Sequence, residues 1–184
     1  MLYKIIAAID ENSGIGMSNT LPWSFKEDFK HFSEITKQSP PNTKNAIVMG
    51  RKTWDSLPNG ALDGRDNLVL TSKHADHKCS RETSNLFFFN DFDSIYEFCK
   101  GQDYHIVWII GGSSIYNYYI SQSYIAELVI TRINAQYECD TYFPTIPLNF
   151  SKVRSDTCTA STDRKASTDR KAITLSFEYY LNII

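Results

Sequence analysis

Asp28 is the first residue of this chain that could do chemistry, because it falls on an otherwise apolar helical face. Spacings of three and four in "LPWSFKEDFKHFSEIT" predict a helix with Phe25, Asp28, Phe29, Phe32, Ile35 and Thr36 on one side and Glu27, Lys30, His31 and Glu34 on the other. Ser24 and Glu27 match an S-x-x-E capping box, which predicts that the helix begins at about Phe25.

The apolar neighbours of Asp28 have a chemical consequence. An ionised carboxylate among Phe29, Phe32 and Ile35 pays desolvation unless a polar or cationic group meets it, so we expect its pKa to be raised toward a useful range. A cationic or protonatable ring that lies on Phe32 and donates a hydrogen bond to Asp28 would satisfy this carboxylate. The residues alone leave a second interpretation open, in which an acid near a helix N-terminus is favoured by the helix dipole and has no function.

Two strand ends look suited to a phosphorylated ligand. In "AIVMGRKTW" a buried strand reaches Gly50, and Arg51, Lys52 and Thr53 then open a helix. In "VWIIGGSSIY" a second buried strand turns into a helix at Gly111, Gly112, Ser113 and Ser114. Free N–H groups at helix starts favour anions. A glycine turn after a strand is also an ordinary connection, and neither stretch matches the G-x-G-x-x-G or P-loop pattern.

The elements that must position these residues alternate along the chain. Strands are predicted at "YKIIAAI", "NAIVMG", "NLVLTS", "LFFFN", "HIVWII", "AELVITRI", "FSKVRS" and "ITLSFEYYL", and further helices at "RKTWDSL", "DSIYEFCK" and "SSIYNYYI". This order predicts one α/β domain over residues 1–184, with a mostly parallel central sheet, an antiparallel C-terminal hairpin and helices on both faces. A duplicated "ASTDRK" (residues 160–165 and 166–171) is predicted to be a loop of that hairpin.

Composition narrows the classes of function. The chain has 184 residues, of which 42% are hydrophobic and 22% charged, and a net charge of -2. Without a basic block or a membrane-length apolar run, nucleic acid and membranes are not expected as partners, whereas a small anionic ligand is compatible with the sequence. Four scattered cysteines predict neither a metal site nor a disulfide framework and favour reduced thiols in the cytoplasm.

Taken together, seven segments resemble the dihydrofolate reductase family in order and spacing: "IIAAIDENSGIGMSNTLPW", "EDFKHFSEIT", "VMGRKTWDSLP", "LDGRDNLVLTS", "WIIGGSSIY", "ELVITRI" and "CDTYFP". The resemblance covers nearly the whole chain. It implies the reduction of 7,8-dihydrofolate to tetrahydrofolate by NADPH, serving one-carbon metabolism and thymidylate synthesis.

The resemblance also implies a pterin pocket. Asp28 would be its single acid, with Thr131 hydrogen-bonded to the carboxylate. The other substrate-binding positions would be Ile6 and Ile110 through their carbonyls, Phe32 and Leu57 as walls, and Ala8, Phe29 and Tyr116. Plain core packing remains compatible with each apolar member.

Arg65, in "LDGRDN", matches the arginine that binds the α-carboxylate of the substrate's glutamate. A guanidinium and a carboxylate pair bidentately, so the chemistry fits. Judged from the residues alone, a surface arginine after a turn glycine is the ordinary interpretation.

The remaining matched positions imply an NADPH site and a lid over it. The adenosine-phosphate end would be bound by Gly50, Arg51, Lys52, Thr53, Thr71, Ser72 and Lys73, the pyrophosphate by Gly111, Gly112, Ser113, Ser114 and Ile115, and the nicotinamide by Ala8, Ile15, Gly16, Ile110 and Tyr116. The loop "NSGIGMSNTLPW" matches the lid. Asp140 matches a loop that contacts this lid in some members of the family.

Two alternatives accompany this interpretation. A riboflavin-pathway reductase shares the fold and NADPH but is not expected to carry the LPW segment and its helical acid. A catalytically silent protein that binds folate and NADPH would keep the pocket. The repeat departs from the family's pattern, and no thymidylate synthase segment follows, so a stand-alone, monomeric reductase is expected.

Overall fold

The structure is a computed structural model that describes residues 1–72, 85–161 and 172–183. Its strands are β1 (Leu2–Ile9), β2 (Gly14–Gly16), β3 (Lys44–Gly50), β4 (Arg65–Leu70), β5 (Leu86–Phe89), β6 (Tyr104–Gly111), β7 (Ile125–Ile133), β8 (Thr141–Tyr142), β9 (Phe150–Ser161) and β10 (Ala172–Asn182). Its helices are α1 (Lys26–Lys37), α2 (Arg51–Asp55), α3 (Phe92–Lys100) and α4 (Ser113–Tyr119).

Eight strands form one sheet in the order β5-β4-β3-β6-β1-β7-β10-β9. Every pairing from β5 to β7 is parallel, whereas β10 pairs antiparallel with both β7 and β9. The central strands are apolar on both faces, which is typical of a parallel sheet covered on both sides. The predicted α/β class, with its mostly parallel sheet and antiparallel C-terminal hairpin, is confirmed.

Two hydrophobic clusters cover the two faces of the sheet. One contains residues of α3 and α4, including Ile95 and Tyr119. The other contains Phe32 and Ile35 of α1 and Trp54 of α2. Helices therefore pack on both faces, and the carboxyl ends of the central strands lie between these two layers of helices. In a parallel sheet, ligands bind at the carboxyl ends of the strands.

Two local predictions are corrected. The capping box is wrong: Phe25 is the residue that precedes α1, and no side chain caps it. His31 is only partly exposed, because the hairpin of β9 and β10 reaches the outer side of α1. Its ring stacks on Phe177 with 3.9 Å between ring centroids, and its Nε2 lies 3.1 Å from the hydroxyl of Tyr179. Helical periodicity registers one buried face and therefore missed this second contact.

Other predictions fall partly outside the described residues. Ala160 and Ser161, the first two residues of the repeat, belong to β9, so the loop prediction is wrong for them. The rest of the repeat, together with Lys73 and Cys79, lies outside the described residues. Among the residues that the structure describes, Cys99, Cys139 and Cys158 are free thiols, and no group of side chains is arranged to hold a metal. None of the described helices has the length and apolar character needed to cross a membrane.

Candidate active site

Asp28 lies in the first turn of α1 with only 7% of its surface exposed. Burial raises the pKa of its carboxyl from 3.8 to about 6, and a hydrogen bond from the side chain of Thr131 opposes that shift. Thr131 is itself buried and stands on β7 next to Ala8 of β1. The expected raised pKa of Asp28 is confirmed, and its cause is desolvation on the inner face of α1.

Tyr116 lies on the opposite face of the sheet, in the cluster that contains residues of α3 and α4. Its hydroxyl donates a 2.8 Å hydrogen bond to the carbonyl oxygen of Ile6, and burial raises the pKa of its phenol, with a smaller contribution from the charge of Asp28. The ring passes Gly111, whose φ is 104° and where a Cβ would lie 2.7 Å from the ring. Glycine is therefore required at Gly111 both for its backbone conformation and for space.

Three apolar side chains that were predicted to line the pocket lie on the α1 side of the sheet. Phe32, Leu57 and Ile110 pack, partly buried, against the cluster that contains Ile6. Phe29 departs from the predicted buried face, since 45% of its surface is exposed. The structure thus places Phe29 on the outer part of the same helix.

Arg65 begins β4 and is 4% exposed, so the surface-arginine interpretation is wrong for this residue. Its Nη1 donates to the hydroxyl of Thr36 at 2.6 Å, and its Nε donates to the carbonyl oxygen of Asp63 at 3.1 Å. The guanidinium carbon lies 5.8 Å from the centre of the Phe32 ring. Burial lowers the pKa of Arg65. Among the described residues, no carboxylate forms an ion pair with this cation.

The two glycine turns meet at the carboxyl ends of β3 and β6. Met49 is the register partner of Gly111, and Gly112 follows Gly111 through a cis peptide bond. A Cβ at Gly50 would lie 3.2 Å from Ile115, and one at Gly112 would lie 3.4 Å from the hydroxyl of Thr53. The helix starts that the sequence predicted separately are therefore neighbours.

The two cations beside these turns are partly or fully exposed. Nε of Arg51 donates to Asp55 at 2.7 Å on the same helix, and 38% of the Arg51 side chain is exposed. Lys52 is also exposed and makes no ion pair with any described residue. Thr71 is buried at the end of β4, and Ser72 beside it is exposed. Ser114 is exposed as well, while Ser113 donates to the carbonyl oxygen of Tyr142 at 3.0 Å.

The predicted lid carries Ile15 and Gly16 on β2, a short strand that pairs with β8. The carboxylate of Asp140 accepts from the backbone N–H of Ser18 at 2.8 Å, and the N–H of Asp140 donates to the carbonyl oxygen of Gly16 at 3.0 Å. Asp140 thus contacts the lid in this protein, which the sequence alone did not decide.

The sequence was compared with models of known protein families. The family model described as dihydrofolate reductase matches residues 2–178, which include every described residue of the pocket. The chain belongs to the dihydrofolate reductase family. This membership confirms the sequence-based prediction of an enzyme of that family.

Curated dihydrofolate reductases match over most of their own length. The dihydrofolate reductase of Heliothis virescens is 36% identical over 147 residues, which is 78% of this chain and 79% of the relative. That of Drosophila melanogaster is 34% identical over 158 residues, covering 84% and 85% of the two chains. A viral dihydrofolate reductase from Saimiriine herpesvirus 2 (strain 488) is 36% identical over 161 residues, covering 83% and 73%.

Sequence reasoning missed two residues that organise this dihydrofolate reductase-family site. Asp10 is buried where the lid begins, and its carboxylate accepts from the backbone N–H groups of Asn12, Gly14 and Tyr137 at 2.7–2.9 Å. An Asp that opens a turn in "DENSG" was the available signal. Thr36 gave no signal of its own, because its partner Arg65 lies 29 residues away in sequence.

Proposed function

We propose that this protein reduces 7,8-dihydrofolate to 5,6,7,8-tetrahydrofolate with NADPH, and so supplies one-carbon metabolism and thymidylate synthesis. The observation that carries the proposal is the buried carboxylate of Asp28, which has a pKa of about 6, a hydrogen bond from Thr131 and apolar walls. A flat, protonatable ring with N–H donors is the ligand that this environment accommodates. The raised pKa allows the group to gain or release a proton near neutral pH.

Asp28 holds the ring and favours its protonation. Its two oxygens accept from the pterin's ring nitrogen and exocyclic amino group, and the negative charge stabilises the protonated ring. Reduction then adds a hydride and a proton across a carbon–nitrogen double bond. Thr131 keeps the carboxylate oriented. Because the pocket excludes bulk water around Asp28, the charge acts at a low effective dielectric.

The rest of the substrate extends along the α1 face. Phe32 and Leu57 enclose the ring system, and Phe29, which is exposed, lies where the substrate enters. Arg65 binds the α-carboxylate of the glutamate, which supplies the anion that this buried cation lacks among the described residues. Asp28 lies in the first turn of α1, and Arg65 contacts Thr36 near the carboxyl end of the same helix. The cationic ring of the ligand is therefore bound at one end of the helix and its anionic tail at the other.

NADPH would lie across the ends of β3, β4 and β6. The donor set fits a phosphorylated cofactor: the half-exposed Arg51 and the exposed Lys52 for the 2′-phosphate, with the Gly111–Gly112 turn and Ser114 for the pyrophosphate. Ala8, Ile15 and Tyr116 lie on the nicotinamide side. When bound there, NADPH supplies the hydride. The protein's part is to hold two flat rings face to face under the lid.

The decisive assay follows the nicotinamide absorbance of purified protein with NADPH and dihydrofolate, and repeats it with NADH. We expect turnover that requires dihydrofolate and is faster with NADPH at equal concentration. A catalytically silent protein would bind both ligands without loss of absorbance, and a riboflavin-pathway reductase would ignore dihydrofolate. Either result contradicts the proposal. The cytoplasmic location and the monomeric state stay predictions, and sedimentation of the purified protein tests the latter.

A further inference from the structure

Thr36 stands between α1 and the buried guanidinium of Arg65. Its side chain is fully buried near the carboxyl end of the helix. The hydroxyl donates to the carbonyl oxygen of Phe32 at 2.7 Å and accepts from Nη1 of Arg65 at 2.6 Å. One oxygen atom therefore links Arg65 to the helix turn that carries Phe32.

The backbone of Thr36 is fixed as firmly as its side chain. The side-chain amide of Asn45 donates to the carbonyl oxygens of Thr36 and Gln38, both at 2.9 Å. Its amide oxygen accepts from the N–H of Ile106 at 3.1 Å, which joins the start of β3 to β6. The hydroxyl of Thr36 is thus held at a set position relative to the sheet, and this is the condition under which it can orient a neighbouring side chain.

The contacts of Arg65 show what is left for a ligand. A guanidinium has five N–H donors in one plane. Nε is used by the carbonyl oxygen of Asp63, and Nη1 gives one hydrogen to Thr36. The other three N–H groups have no partner among the described residues. Two fixed contacts determine the plane of the guanidinium and therefore the direction of the donors that remain.

We propose that Thr36 is a positioning residue for substrate recognition, which orients Arg65 so that its free N–H groups meet the α-carboxylate of the substrate's glutamate. The inference rests on the proposed function and deepens it. Bidentate pairing of a guanidinium with a carboxylate depends on coplanarity. If Arg65 could rotate about its side-chain torsions, each binding of substrate would cost the free energy of ordering the guanidinium.

The test compares Thr36→Val, which removes the hydroxyl at nearly constant volume, with Thr36→Ser, which keeps it. Thr43→Val is the matched control, because it also removes a hydroxyl that donates to a main-chain carbonyl, that of Pro40 at 2.8 Å, in the loop after α1. Each variant is assayed for dihydrofolate turnover, for NADPH affinity, and for competitive inhibition by 7,8-dihydrobiopterin, which has the dihydropterin ring but no glutamate.

Thr36→Val is expected to raise the KM for dihydrofolate about tenfold, the size of one charge-assisted hydrogen bond, with kcat and NADPH affinity within about twofold. Its inhibition constant for 7,8-dihydrobiopterin should stay within about twofold of the parent value, because that ligand has no carboxylate to lose. Thr36→Ser and Thr43→Val should both behave as the parent. In a protein that already carries Arg65→Ala, Thr36→Val should have no further effect.

Several results would overturn the inference. One is an unchanged KM for dihydrofolate, and another is an equal loss for both ligands, which would indicate a general structural role. A third is failure of Thr36→Ser to retain the parent KM. If Thr36→Val does not fold, Thr36→Ala takes its place with the same expectations. A parent protein that turns over no dihydrofolate would refute the proposed function instead, and this inference with it.

Discussion

The two ends of the site hold their charges in opposite ways. On the proposed substrate side, Asp28 and Arg65 are 7% and 4% exposed and are held by Thr131 and Thr36. On the proposed cofactor side, Lys52 is exposed, and the half-exposed Arg51 donates its Nε–H to Asp55 of the same helix. The charges of Asp28 and Arg65 are therefore desolvated and oriented before any ligand arrives, and those of Arg51 and Lys52 are not.

This difference has consequences for recognition. A buried charge is strong and weakly screened by salt, and it has one orientation, so it selects a ligand by geometry. An exposed cation is already solvated and must be reoriented, so it attracts phosphate from a distance but contributes less per contact. Substitutions on the substrate side should therefore have larger and more salt-independent effects than those on the cofactor side.

The largest effect is expected for Asp28→Asn. It should lower dihydrofolate turnover at pH 7 by about 10²–10³-fold, because the group that favours protonation of the ring is lost. NADPH affinity should change little, and activity should partly return at acid pH, where solvent supplies the proton. Steady-state rates between pH 5 and 8 measure this. Near-normal turnover at pH 7 would remove Asp28 from the mechanism.

The same substitution should make the ligand-free protein more stable. Burial raises the pKa of Asp28 from 3.8 to about 6, so the folded state binds this proton more tightly than the unfolded state does. The contribution of this group to stability is complete below about pH 4 and lost as pH rises through about 6. Two pKa units correspond to about 3 kcal/mol, an upper estimate of what Asp28→Asn recovers at pH 8.

Urea denaturation of the parent and the Asp28→Asn variant at pH 4.5 and pH 8 tests this gain. The variant should exceed the parent at pH 8 and approach it at pH 4.5. The exposed Asp103, substituted in the same way, is the control and should show no such pH-dependent difference. An equal gain at both pH values would mean that the desolvation of a carboxylate is not its cause.

Arg65→Ala comes next in size. Loss of a charge-assisted pair worth about 1.5–3 kcal/mol should raise the KM for dihydrofolate about 10–100-fold, with NADPH affinity nearly unchanged. Since the pair is buried, the ratio of variant to parent KM should vary little between low and moderate salt. A ratio that collapses with added salt would place Arg65 among the exposed cations and erase the contrast between the two ends.

The smallest effect is expected for Arg51→Ala. It should weaken NADPH by about three- to tenfold and NADH hardly at all, because water and Asp55 already compete for this guanidinium. Fluorescence titration at two salt concentrations measures both cofactors, and the NADPH effect should shrink as salt rises. Equal weakening of NADPH and NADH would show that Arg51 does not bind the 2′-phosphate.

Local patterns in the sequence were sufficient for the elements and for much of the site. Runs of apolar residues marked the parallel strands, and spacings of three and four placed Asp28 on the inner face of α1. Glycines after strands marked Gly50 and Gly111 as turns. These features depend on near neighbours in the chain, whose backbone geometry follows directly from residue type.

The tertiary structure decided which distant groups meet. The residues alone favoured a surface position for Arg65, whereas the fold of β4 places it against Thr36. Tyr116 contacts Gly111 and donates to the carbonyl oxygen of Ile6 only because α4 packs against these strands. His31 and the lid pairing of Asp140 were decided in the same way. Burial, a raised pKa and a shared hydrogen bond are properties of contacts between segments, and no local periodicity encodes such contacts.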